Sequence, residues 1–317
     1  MHRRTLLATG LLAFGSIPPA AAQDLRSVTL VVPFGAGTVV DIMARAFAEP
    51  FRAALGPGTA SVVVLNREGA GGSIAAAFVA QQKPDGGVIG FGPSGMLTTQ
   101  PFMVPSLPYR LEGFVPLCQT FENVFALAVP AQSPYRSLAE FLAAARARPE
   151  GLSFGHAGNG TVGHLILRQL GIMAEVKLTD VAYRAGGQMM TDAQGGTIDM
   201  AVTTWATLRD SGLRVVAVAA DARDPAIGEA PTLAELGFPV TWRGFGGLWA
   251  PRGLPQPLTA RIEAACLEAT RSAAYGGVMA SAAQVVAPLD AAAFSARLVT
   301  EQREAANLLD RLGLLGK

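Results

Sequence analysis

The chain has 317 residues, half of them hydrophobic, with 15% charged and a formal net charge of +1. That length exceeds what one hydrophobic core usually serves and predicts two α/β domains. No basic block stands out, which excludes the electrostatic footprint of a nucleic-acid binder.

The first segment reads as a targeting sequence. Met1 to Arg4 supply a basic start, Thr5 to Ile17 an apolar stretch, and Pro18 to Ala22 a small-residue cleavage site before Gln23. The apolar stretch falls short of the roughly 20 residues that span a bilayer. Arg3-Arg4 fits a twin-arginine or a Sec signal equally well, and no cysteine near the cleavage site provides a lipid anchor. Export with cleavage after Ala22 is therefore the expectation. It leaves 23 basic against 24 acidic residues, a net charge of −1.

Strand and helix then alternate. Val28 to Pro33 is a continuous apolar run, as in a parallel strand buried on both faces, and Asp41 to Leu55 has helical periodicity. Val62 to Leu65, a helix over Ser73 to Gln82, and Val88 to Phe91 continue a parallel, helix-covered sheet. Val115 to Val129 reads as mostly extended. Ser137 to Arg148 is predicted as a helix with Ser137 and Glu140 as a capping box. Leu152 to Phe154, Val181 to Tyr183, Ile198 to Val202 and Val215 to Ala219 are strands, with helices at Val162 to Leu170 and Gly187 to Ala193. Gly244 to Ala250 is extended. Two helices, Leu258 to Arg271 and Ala291 to Leu309, are placed back on the first domain. The expected domains are 23–123 with 245–317, and 124–244. Cys118 and Cys266 lie in one strand-like and one helix-like context. They are expected as separate buried thiols, although an exported chain would allow them to pair.

Two strand-to-helix loops share a design. Pro33-Phe34-Gly35-Ala36-Gly37-Thr38 precedes the helix near Asp41, and Gly155 to Thr161 precedes the helix at Val162. Each offers small residues, free backbone N–H groups and a helix N-terminus, a combination that binds anions. Enzyme readings fail at particular residues. Gly35-x-Gly37 is followed by Val40 where a dinucleotide fingerprint needs its third glycine, and Asn66 stands where a ribose-binding acid belongs. No Gly-Lys-Ser/Thr exists for a P-loop. Gly92-Pro93-Ser94-Gly95 has Met96 where a nucleophile elbow needs glycine. After the leader only His156 and His164 remain as histidines, and no cysteine or carboxylate cluster joins them in sequence, so neither metal nor cofactor is expected. His156 is placed at the cleft, and His164 as an ordinary residue of the first helical turn.

An ordered set of blocks resembles the substrate-binding receptors of tripartite tricarboxylate transporters, the Bug family, across the whole chain after the leader. Val28 to Phe34 with Gly35-Ala36-Gly37 and Asp41-Ile42-Met43-Ala44-Arg45 resembles the family's first strand, ligand loop and helix. Asn66-Arg67 with Gly69-Ala70-Gly71-Gly72 follows. So do Pro84-Asp85-Gly86, Ser137 to Glu140, Gly158-Asn159-Gly160-Thr161, Gly195 to Asp199, Ala230 to Glu235 and Ala250 to Gly253. The resemblance implies a bilobed, type II-like periplasmic binding protein, two α/β domains with a ligand cleft and a hinge. It implies a small organic acid as ligand and delivery to a permease of a large and a small membrane subunit. It places ligand contacts on Phe34, Gly35, Ala36, Gly37, Thr38 and Asp41 in the first loop, and on Ala157, Gly158, Asn159, Gly160 and Thr161 in the second. Ser94 and Tyr183 become pocket walls. For Asp41 a helix-capping role is an equal alternative. A monomer is expected. A periplasmic sensing module that signals to a two-component kinase is the alternative use of the same fold.

The chain departs from the family at Thr38-Val39-Val40, where Gly-Gly-Thr is usual, at Thr203-Thr204-Trp205, and at His156, where serine is common. Arg184 is the basic residue nearest a predicted strand end.

Overall fold

The computed structural model describes residues 25–183, 186–220, 222–223, 227–240 and 242–316. The expected leader, residues 1–22, and Arg184 lie outside the described residues. Among the described residues no helix is long and apolar enough to cross a membrane.

Two sheets organise the chain. The first contains β1 (Ser27–Val32), β2 (Ser61–Asn66), β3 (Val88–Pro93), β4 (Phe114–Asn123), β10 (Gly244–Pro251) and β11 (Val285–Leu289), in the order β11-β4-β10-β3-β1-β2. β1 pairs in parallel with β2 and β3, as the opening alternation predicts, whereas β10 runs antiparallel to β3 and β4. The second sheet contains β5 (Phe125–Val129), β6 (Leu152–His156), β7 (Leu178–Ala182), β8 (Met200–Thr204) and β9 (Arg214–Ala219), in the order β7-β6-β8-β5-β9. One α/β lobe is built on each sheet.

The first lobe carries α1 (Val39–Leu55), α2 (Ser73–Ala80) and the short α3 (Gly95–Thr98) and α4 (Gln100–Met103). The second carries α5 (Leu138–Arg146), α6 (Val162–Ala174), α7 (Gly186–Gln194) and α8 (Trp205–Leu208). The chain returns through α9 (Gln256–Thr270), α10 (Ala273–Ser281) and α11 (Ala291–Arg311). Ser137 caps α5 by accepting the Glu140 N–H at 3.2 Å, while Glu140 reaches back to the Arg136 N–H at 2.6 Å. The acid thus closes the capping box one residue further out than the motif requires.

α10 and β11 are absent from the sequence reading. α10 has two glycines and no apolar stripe, and β11 is a half-exposed edge strand containing Pro288. α9 and α10 pack with α1 and β3 in one core that includes Phe47, Phe51, Phe91 and Tyr275. α11 divides its loyalty. Phe294 and Leu298 join the first-lobe core around Trp249, whereas Ala305, Leu308 and Leu309 join the second-lobe core around Phe154 and Leu165.

The chain passes from the first sheet to the second at Val124, whose carbonyl accepts the Trp205 N–H at 2.8 Å. It returns ahead of Gly244, which pairs with Asn123. A Cβ at Gly244 would come within 2.6 Å of the Phe125 ring and 2.9 Å of Asn123 Cβ, so the close approach of the two crossings requires glycine. One expectation is corrected here. Cys118 on β4 and Cys266 on α9 are joined in a disulfide with a Cα–Cα separation of 6.4 Å, inside the usual range. Both are fully buried and face each other across the strand–helix interface, a proximity that their separation of 148 residues hides in the sequence.

Candidate functional site

β1 ends at Val32 and α1 begins at Val39, so Pro33 to Thr38 form the first loop. Thr38 is the N-cap of α1, with φ −72° and ψ 160°, yet its hydroxyl does not cap the helix. It donates backwards to Gly35 O at 2.8 Å. Gly37 adopts φ +81°, which L side chains rarely take. Its N–H donates to Asp41 Oδ2 at 2.9 Å. Asp41, 2% exposed, also accepts Arg45 Nε at 2.9 Å and Asn66 Nδ2 at 2.8 Å. Asn66 Nδ2 donates to Phe34 O as well, at 2.8 Å. Burial opposes the charge of Asp41, but the bonds from Arg45, Gly37 and Asn66 prevail and hold its carboxyl below the usual range.

The second loop repeats this construction. β6 ends at His156 and α6 begins at Val162. Thr161 is the N-cap, with φ −73° and ψ 159°, and its hydroxyl donates back to Gly158 O at 2.7 Å. Gly160 has φ +75°, and its N–H donates to His164 Nδ1 at 3.0 Å. Arg168 sets Nε 3.3 Å from His164 Nε2 and donates from Nη2 to Asp180 Oδ1 on β7 at 2.6 Å. Gly35-Ala36-Gly37-Thr38-Val39-x-Asp41 with Arg45 and Asn66 thus parallels Gly158-Asn159-Gly160-Thr161-Val162-x-His164 with Arg168 and Asp180 in four contacts: threonine hydroxyl to the first glycine's carbonyl, second glycine N–H to the acceptor, arginine Nε to that same side chain, and arginine Nη2 to the neighbouring strand.

This wiring changes which donors are free. The N–H groups of Gly37, Thr38, Gly160 and Thr161 have partners inside their own segments, and that of Gly158 lies 3.2 Å from His156 Nδ1. Among the described residues no acceptor meets those of Ala36 and Asn159, nor the first helical turns at Val39, Val40, Val162 and Gly163. An uncapped first turn carries unsatisfied donors and the positive end of the helix dipole. The first-turn valines and Gly163 escape the sequence reading. The signal that would find them is the repeat itself, Gly-x-Gly-Thr-Val followed by an acceptor and an arginine four residues later.

The loops meet across the Gly69–Gly72 turn. A Cβ at Gly72 would lie 3.2 Å from Pro33 Cβ, and one at Gly71 would lie 3.7 Å from Asn159 O. Gln100 of α4 donates from Nε2 to Asn159 O at 2.8 Å, tying the second loop to the first lobe. Phe34, Gly35, Ala36, Gly37 and Thr38 are partly or fully exposed, as are Ala157, Gly158, Asn159 and Thr161, while Gly160 is buried under Gln100 and Met103. Asp41 stands behind its loop as an anchor. Ser94, at the end of β3, is buried, with its hydroxyl beside the buried carboxyl of Glu301. Tyr183 is half-buried and donates to Asp192 Oδ2 at 2.7 Å, and burial followed by Asp192 pushes its hydroxyl up to about 12.

His156 lies beneath the second loop rather than on the cleft surface. It is fully buried and stacks on His164 with centroids 4.6 Å apart and planes 29° apart. Its Nδ1 is 2.9 Å from Gly158 O, and its Nε2 is 3.8 Å from Asp180 Oδ2. His156, His164 and Asp180 are close enough to be considered as metal ligands. Stacked rings run their lone pairs side by side instead of converging, and Arg168 already occupies Asp180 and the far nitrogen of His164, so the arrangement does not fit a cation. Two concavities of about 400 and 460 Å³ lie on the second lobe and touch neither loop.

Two α/β lobes, each with a glycine loop leading into a helix that lacks a side-chain cap, are the arrangement of a bilobed solute-binding protein. The chain belongs to the family described as tripartite tricarboxylate transporter family receptor, whose model matches residues 43–314. It is similar to a UPF0065 protein of the tcbD-tcbE intergenic region of Pseudomonas sp. strain P51, 35% identical over 276 residues that cover 83% of this chain and 80% of that one. It is also similar to protein BugT of Bordetella pertussis, 28% identical with 87% and 86% covered. Similar solved structures include the periplasmic binding protein BugD, with 25% identity, a TM-score of 0.81 and 92% and 98% covered. MatC from Rhodopseudomonas palustris, with bound malate, has 27% identity, a TM-score of 0.78 and 90% and 99% covered. An R. palustris protein with adipate has 26% identity, a TM-score of 0.82 and 91% and 97% covered. The family is one of transport receptors, not of enzymes.

Proposed function

We propose that this chain is a periplasmic solute-binding protein that closes its lobes, 23–123 with 245–317 and 124–244, on a small organic carboxylate. It then delivers the carboxylate to a membrane permease of large and small subunits. The observation that carries the reading is the repeated loop, which aims two uncapped helix N-termini at one cleft. The relatives solved with malate and with adipate support a carboxylate as the ligand class. Ala36, Asn159 and the first turns of α1 and α6 supply the donors. No arginine is needed, because Arg45 and Arg168 face backwards into the networks that hold the loops. Hydrogen bonds to a charged group contribute about 1.5–3 kcal/mol each and a helix N-terminus roughly 0.3–1. Three or four such bonds reach a micromolar constant, near −8.2 kcal/mol, after ordering costs.

Thr38 turns its hydroxyl inward, and Val39 adds methyl groups to the rim where the family places small or polar residues. A monocarboxylate, or an acid with an apolar body, is therefore expected to bind better than citrate-like polyacids. A calorimetric panel of organic acids decides this, and tight citrate binding would refute the preference. Gly160→Pro removes an N–H that orients the loop and is expected to weaken binding at least a hundredfold while the thermal transition stays cooperative. Harmless Gly160→Pro, with binding lost in Arg184→Ala, would refute the backbone mechanism.

Export is tested separately. The intact mass of protein recovered from the periplasm should correspond to a chain beginning at Gln23. A chain retaining residues 1–22 contradicts cleavage.

A further inference from the structure

We propose that His156 makes ligand capture proton-linked: a carboxylate held at the N-terminus of α6 binds together with one proton, which settles on His156 Nε2 and is shared with Asp180. The proposal rests on the carboxylate-binding reading of the second loop and adds a regulation to it.

The geometry singles out one nitrogen. His164 accepts the Gly160 N–H at Nδ1 at 3.0 Å, so its single proton sits on Nε2, 3.3 Å from Arg168 Nε, and a second proton would break the Gly160 bond beside the guanidinium. His156 is the reverse. Its Nδ1 lies 2.9 Å from Gly158 O and 3.2 Å from Gly158 N; one nitrogen cannot serve both, and the shorter contact places the proton on Nδ1, pointing at the carbonyl. That leaves Nε2 fully buried with no partner among the described residues and 3.8 Å from Asp180 Oδ2. Arg168 engages the other oxygen of that carboxylate. Two acceptors therefore face each other across 3.8 Å, and a proton on Nε2 turns that repulsion into an attraction that draws the ring and the carboxylate together.

The charged and titratable groups around His156 are His164 and Arg168 on α6 and Asp180 on β7. Tyr183, whose N–H donates to His156 O, turns its hydroxyl to Asp192 on α7. Burial, helped by Arg168, holds the His156 imidazole below its ordinary range against the pull of Gly158 O and Asp180. A bound anion alters that balance, because the loop that holds it is hydrogen-bonded directly to the ring through Gly158. Opposite charge at such range favours the protonated ring, so the histidine binds its proton more tightly when the site is filled. Linkage then makes affinity highest in acid. It falls as pH rises through the titration point of the filled state. The first loop has no such dependence near neutrality, since Asp41 is held ionised in the matching position.

The test is calorimetry with adipate as probe between pH 5 and 8, in two buffers of different ionisation enthalpy, comparing wild type with His156→Asn. Adipate's own titration is common to both proteins. Wild type should take up as much as one extra proton per adipate and lose affinity at least threefold more per pH unit than the variant, within a limit of about tenfold for one proton. Should the variant fail to fold, nitrogen-15 spectra of the wild-type imidazoles serve instead, and His156 should titrate at higher pH with adipate than without. Equal proton uptake in both proteins, or an imidazole titration that adipate leaves unmoved, overturns the linkage while the carboxylate reading stands. Failure to bind any acid of the panel at any pH overturns both.

Discussion

Replacing Cys118 and Cys266 together by alanine should lower the unfolding free energy by about 3–5 kcal/mol. The bridge closes a loop of 148 residues, for which the chain-entropy model gives about 5 kcal/mol, against the 2–4 usually measured. Its position explains the size of the loop. Cys118 lies on β4, just before the chain leaves for the second lobe, and Cys266 on α9, after it has returned. Every residue of the second sheet is therefore inside the loop. Without the bridge, the two passes of the first lobe are joined by packing around Leu117, Leu258 and Ile262, by the pairing of β10 with β3 and β4 and of β11 with β4, and by side-chain bonds such as Arg261 to Leu55 O. Urea unfolding of wild type with and without reductant, beside the double variant, measures the effect. Coincident midpoints for all three would show that the bridge contributes nothing.

What the sequence makes legible follows the range of the interaction. β1, α1 and β3 are readable because each buries a local run of apolar residues, and β2 because its run of three valines and a leucine is bounded by polar residues although it lies half-exposed at the sheet edge. α10 is not, because Ala273–Ser281 is held by Tyr275 and Met279 inserting into a core built from distant elements. The glycines of both loops are visible as turn residues, and the anion-binding design is inferred from them. What lies behind them is invisible to a local reading. Asn66 is separated from Phe34 by 32 residues along the chain, and Gln100 from Asn159 by 59, yet these side chains set the loop carbonyls. The same limit misplaces His156. Sequence sets it in the loop and hence at the cleft, but the last turn of β6 carries its ring inward onto His164, and only the packing of β7 brings Asp180 to it. The disulfide is missed for the same reason.

The second large effect is a pair of opposed pH dependences. Glu301, 6% exposed on α11, accepts the Thr98 hydroxyl at 2.8 Å, and burial pushes its carboxyl up to about 7 from an ordinary 4.5. The folded state therefore holds more protons than the unfolded one between those values. Stability from Glu301 is present below pH 4.5 and is lost as pH rises towards 7. His164, 2% exposed, is pushed down to about 3 from 6.5, by burial first and then by His156 and Arg168. Here the unfolded state holds more protons, so stability is present above pH 6.5 and is lost as pH falls. Between pH 4.5 and 6.5 the two slopes, each about 1.4 kcal/mol per pH unit, nearly cancel. His156, also pushed down, leaves wild type a small residual rise with pH. Glu301→Gln keeps an acceptor for Thr98 but cannot ionise, and should expose the histidine slope, gaining about 2.7 kcal/mol from pH 4.5 to 6.5. His164→Asn keeps an acceptor for the Gly160 N–H and should show the reverse, losing stability over the same interval. Urea midpoints at the two pH values measure both. Parallel profiles for wild type and the two variants would mean that neither group titrates differently on unfolding. Since Glu301 sits between the part of α11 that packs on the first lobe and the part that packs on the second, its proton is held where the two lobes share a helix. The Glu301→Gln profile therefore reports on the joint between the lobes, and the His164→Asn profile on the second loop.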